Sequence, residues 1–138
     1  MKKLAILVLV MTIGILSCKK NTTPNRVGNR LLNGPWKIGK FVDSTVNRTT
    51  DYTDVVFDFM ENWQLFINVK YTDTVNATFD IPENTKNPAT LVLTIPTDSL
   101  LEPLRDDWSV VFLSKEEFRL VRLNGKKDTT DECIFRKL

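Results

Sequence analysis

A chain of 138 residues with 42% hydrophobic and 26% charged side chains has the size and composition of a single globular domain with one modest core. Its 19 basic and 17 acidic residues give a formal charge of +2, but Lys2 and Lys3 sit in a leader without acids, so the rest of the chain is balanced and leaves no basic face suited to nucleic acid. The absence of histidine removes the commonest general base and the commonest metal ligand.

The first element in chain order is "MKKLAILVLVMTIGILSC": two lysines, an apolar run from Leu4 to Leu16, then Ser17-Cys18. The run is shorter than the ~20 residues that span a bilayer and fits the core of an export signal. Ile15-Leu16-Ser17-Cys18 resembles the lipobox of bacterial lipoproteins. That resemblance implies a signal peptide over residues 1–17, cleavage before Cys18, and a Cys18 thiol carrying diacylglyceryl and fatty acyl chains such as palmitate. It places the protein in the cell envelope, lipid-anchored at the outer membrane and facing the periplasm or the exterior. Two or more acyl chains make such an anchor stable, whereas one does not.

Residues 18–29 are polar apart from Val27 and cannot offset their own ordering entropy, so a flexible tether is expected there and the folded domain over 30–138. With Cys18 lipidated, Cys133 is the one cysteine left and no intramolecular disulfide can form. Its run, "ECIFRKL", marks Cys133 as a small buried core residue rather than a reactive thiol.

From Trp36 onward the chain alternates with period two between turn signals. Trp36-Lys37-Ile38 opens a strand that bends or bulges at Gly39, because Phe41 falls out of phase. Tyr52 to Met60 carries Val55, Phe57 and Phe59 on one face; Glu61-Asn62 turns the chain into a strand with Trp63, Leu65, Ile67, Val69 and Tyr71 in phase. After a turn at Thr72-Asp73 come Val75 to Ile81 and Leu91 to Ile95. "PTDSLLEPLRDD" predicts a loop or one helical turn across an end of the sheet. Trp108 to Leu113, Phe118 to Leu123 and Cys133 to Leu138 complete about eight strands. Short links predict an all-β, up-and-down antiparallel barrel in preference to a sandwich, whose Greek-key order needs long crossovers.

Gly34-Pro35-Trp36, after a short turn at Leu31-Leu32-Asn33, resembles the G-x-W signature at the first strand of lipocalins and of small lipocalin-like domains in bacterial lipoproteins. The resemblance implies a chain crossing the barrel's closed end, with Trp36 as its floor and an arginine packed over the tryptophan. Arg136 is the first candidate for that arginine and Arg122 the second. The domain is shorter than a typical lipocalin and lacks a clear C-terminal helix.

No nucleophile elbow, phosphate loop, paired-cysteine spacing or calcium loop is present, and no cofactor or metal is expected. Carboxylates at Asp51/Asp54, Asp106-Asp107 and Asp128/Asp131-Glu132 fall in loops or at strand ends, as solvated charges do. The chain is therefore read as a monomer that is not an enzyme, and two readings stand. In one, the barrel is a calyx for a small apolar ligand, lined by Phe57, Phe59, Trp63, Phe79, Trp108 and Phe112. In the other, those side chains fill the barrel, and the protein is a tethered interaction module that docks a cell-envelope partner through its loops.

Overall fold

Strands with every second side chain apolar bury one face, and short links make consecutive strands antiparallel neighbours. The computed structural model describes residues 22–70, 74–84, 87–97, 100–124 and 129–138. Cys18 and the leader, the turn expected at Thr72-Asp73 and Asp128 lie outside them. Nine strands follow: β1 Trp36–Asp43, β2 Val46–Asn47, β3 Val55–Phe59, β4 Gln64–Val69, β5 Val75–Asp80, β6 Thr90–Thr94, β7 Asp106–Leu113, β8 Glu117–Asn124 and β9 Thr129–Lys137. The two-residue β2 only extends the β1 hairpin. β1 and β3 to β9 form a closed eight-stranded up-and-down barrel, sealed where β9 pairs back on β1 from Trp36↔Lys137 to Val42↔Glu132. Closure leaves no barrel edge for another strand to pair with.

Two irregularities set which side chains enter the barrel. The β1–β9 register shifts between Ile38 and Lys40, the bulge expected at Gly39, so Trp36, Ile38 and Phe41 all point inward. A second shift, between Val110 and Phe112, brings Leu113 rather than Phe112 into the core. An extra residue in one strand inverts the alternation beyond it.

The segment before β1 corrects the expectation of a tether reaching residue 29. Pro24–Leu31 forms a helix, α1, with proline at its first turn, where the missing N–H costs nothing. Eight residues are too few for a stable isolated helix. What holds this one is that Val27 and Leu31, four apart and thus on one face, are fully buried against the barrel. The folded unit begins earlier still, for Thr22 is buried, its carbonyl accepts the Ala89 N–H at 3.0 Å and its hydroxyl donates to Asn87 Oδ1 at 2.6 Å.

The barrel interior is one continuous apolar cluster. Phe118 and Phe135 stack at 4.6 Å, Trp36 meets Phe118 edge-on at 4.9 Å, and Phe57 meets Phe135 edge-on at 5.1 Å. Such offset and edge-to-face pairs add to the gain from burial.

Candidate functional site

Each end of the barrel is closed by a leucine-bearing segment seated on a tryptophan. At the α1 end, Trp36 is fully buried and its indole N–H donates to the Leu31 carbonyl at 2.9 Å. Gly34 makes room for that ring: a Cβ there would stand 2.5 Å from Trp36 Cδ1 and 2.7 Å from its Nε1. Gly34 and Trp36 thus pack together beneath α1. Arg136, the first arginine candidate, does not cover Trp36: its side chain is exposed on the outer face, lies across Gly39 and approaches Glu117 at 3.4 Å. The alternation of β9 explains this, because Phe135 points inward and its neighbour must point out. The hydrogen bond from Arg119, with Arg136 beside it, holds the Glu117 carboxyl below the usual carboxylate range.

At the other end the β6–β7 connection carries a short 3-10 turn, Glu102–Leu104, which is the helical turn expected across an end of the sheet. Leu101 and Leu104 are fully buried. The Trp108 indole donates to the Leu104 carbonyl at 2.9 Å, and the Tyr52 hydroxyl donates to the Leu100 carbonyl at 2.7 Å. Burial pushes the Tyr52 hydroxyl up to about 12. Arg122, the second candidate arginine, does cover a tryptophan, but it is Trp108, with its guanidinium carbon 4.2 Å from the ring centroid. The same guanidinium pairs with fully buried Asp131 at 2.8 Å and donates to the Pro103 carbonyl at 2.7 Å. Asp131 in turn accepts the Ser44 N–H at 2.7 Å.

The six side chains nominated for a ligand pocket divide into three groups. Phe57, Phe59, Phe79 and Trp108 are core, packed on other aromatic rings. Phe112 stands on the outer face under the Arg119 guanidinium, because of the β7 bulge. Trp63 does not open β4 in phase with Leu65. It ends the turn from Met60 with φ +63°, is half exposed, and leans on Phe79 with ring centroids 5.4 Å apart. A bulky residue at positive φ is unusual, and this one is held by the Phe79 N–H donating to the Trp63 carbonyl at 3.0 Å.

Trp63 lines a cleft of about 250 Å³ between α1 and the β3–β4 turn, with Pro24, Leu32, Met60, Phe79 and Ile81 around it and Glu61 and Glu83 at its margin. Leu32, Met60 and Trp63 are 39%, 42% and 51% exposed, an apolar patch at the α1 end. Leu32 and Met60 carried no signal in the sequence beyond being apolar residues next to turns.

Cys133 is fully buried, which pushes its thiol well above the ordinary range. Of the carboxylates singled out in the sequence, Asp51 pairs with Arg48, Asp54 with Lys70 and Glu132 with Lys40, while Asp106 and Asp131 share Arg122. Among the described residues no three His, Cys, Asp or Glu side chains gather to hold a metal ion, and no helix is long and apolar enough to cross a membrane. Comparison with protein-family models, with curated proteins and with solved structures finds no match.

Proposed function

We propose that this chain is a lipid-anchored, lipocalin-like module of the cell envelope without catalytic activity, which works through its surface and carries no ligand inside the barrel. The observation behind this reading is the packed interior: four of the six side chains nominated for a calyx, Phe57, Phe59, Phe79 and Trp108, are buried in the apolar core against other aromatic rings, and both ends are closed by leucines over tryptophans. A calyx would require the Leu101–Leu104 plug to leave, breaking the hydrogen bonds that Trp108 and Arg122 donate to the Leu104 and Pro103 carbonyls. The sequence of the leader, ending in Ser17-Cys18, supports the lipid anchor. Loops at the end opposite α1 then project away from the membrane toward a partner.

Fractionation of cells making the native chain or Cys18→Ser tests the anchor. The native protein is expected in the membrane fraction with the mass of attached acyl chains. Cys18→Ser protein that stays with membranes through a high-salt wash would contradict the reading, because the apolar run would then be an uncleaved anchor.

A further inference from the structure

We infer that the α1 end of the barrel, through Leu32, Met60 and Trp63, rests on the surface of the membrane to which the chain is tethered. The inference builds on the lipid anchor at Cys18. Three residues separate Cys18 from Thr22, and the four residue-to-residue steps, at about 3.5 Å each when extended, reach no more than about 14 Å. Thr22 is pinned by its hydrogen bonds to Ala89 and Asn87 in the β5–β6 loop. α1, about 12 Å long at 1.5 Å per residue, runs from there to Leu32. Strand directions bring the β3–β4 turn, with Met60 and Trp63, to the same end of the barrel as α1 and the β5–β6 loop. A lipidated Cys18 thus draws this end, and not the Leu101–Leu104 end, onto the bilayer.

The chemistry at that end suits the contact. Pro24, close to the anchor, lines the same cleft as the three exposed apolar side chains. Tryptophan favours the water–hydrocarbon boundary, where its ring is apolar and its N–H can still be hydrated. Trp63 holds an uncommon positive φ that leaves half its surface facing outward, whereas Trp36 and Trp108 are fully buried with their N–H groups bonded inside the fold. Lys19 and Lys20, next to Cys18, add attraction to anionic lipid.

The test uses the full lipidated chain, purified in detergent and reconstituted into phosphatidylethanolamine–phosphatidylglycerol vesicles whose acyl chains carry bromine near the headgroup end. Bromine quenches tryptophan on contact, and only Trp63 of the three tryptophans is exposed. The expected result is flotation with the vesicles and loss of the Trp63 share of the emission relative to unbrominated vesicles, with no such loss in Trp63→Phe. Flotation with equal emission in both vesicle types would overturn the docking while leaving the anchor standing. Failure to float would overturn the anchor and the docking that rests on it.

Discussion

The Arg122 guanidinium lies 4.2 Å over the ring of Trp108 while donating to the carbonyl of Pro103 and pairing with buried Asp131. One side chain on β8 therefore joins the plug, the tryptophan beneath it and the neighbouring strand β9. Arg122→Met keeps the apolar stem but leaves the Asp131 carboxylate unpaired in the core. Breaking a buried pair this way costs about 3–5 kcal/mol. Urea unfolding should show that loss, and a change below about 1 kcal/mol would mean that the plug does not depend on Arg122.

Gly34→Ala should destabilise although it adds one methyl group, because that methyl collides with the Trp36 indole. Overpacking of this kind costs about 1–3 kcal/mol, and Trp36→Ala about 3–5 kcal/mol. Thermal melts of both variants check this. In the double variant the Gly34→Ala cost should largely vanish, since the ring it strikes is gone.

Tyr52 supplies an alkaline pH dependence. Its hydroxyl is raised from 10.0 to about 12 by burial, so between those values the unfolded chain has released a proton that the folded chain keeps. The stability it contributes is fully present below pH 10 and is lost as pH rises toward 12, with a slope of up to about 1.4 kcal/mol per pH unit. Tyr52→Phe should flatten that part of the stability profile in urea titrations across this range. An unchanged slope would assign the dependence to other groups.

Cys133 is buried and its thiol is held protonated, so a thiol reagent should label it slowly in the native protein and rapidly in denaturant. Rapid native labelling would show that the β8–β9 region opens readily.

The barrel was legible because half-buried strands write burial directly into period-two alternation, and because Gly39 broke that phase visibly. Phe112 was misplaced for the same physical reason in reverse: the β7 bulge has no glycine to announce it, so simple parity carried Phe112 inward. Trp63 falls out of phase with Leu65 because the chain is still turning at Trp63 itself, at φ +63°, one residue beyond the Glu61-Asn62 signal. α1 was invisible because its stability lies in two contacts, Val27 and Leu31 against the barrel, and not in its own polar composition. The α1-end patch depends on which turns share an end of the barrel, which alternation alone does not reveal.

Native mass spectrometry of the full-length gene product, purified from its own cells in mild detergent, tests most directly whether a filled barrel hangs from a lipid. The predicted species is the chain from Cys18 onward plus acyl chains, with no further small molecule released on collisional activation. A species that sheds a stoichiometric apolar ligand, or that retains residues 1–17 without acyl mass, would contradict it.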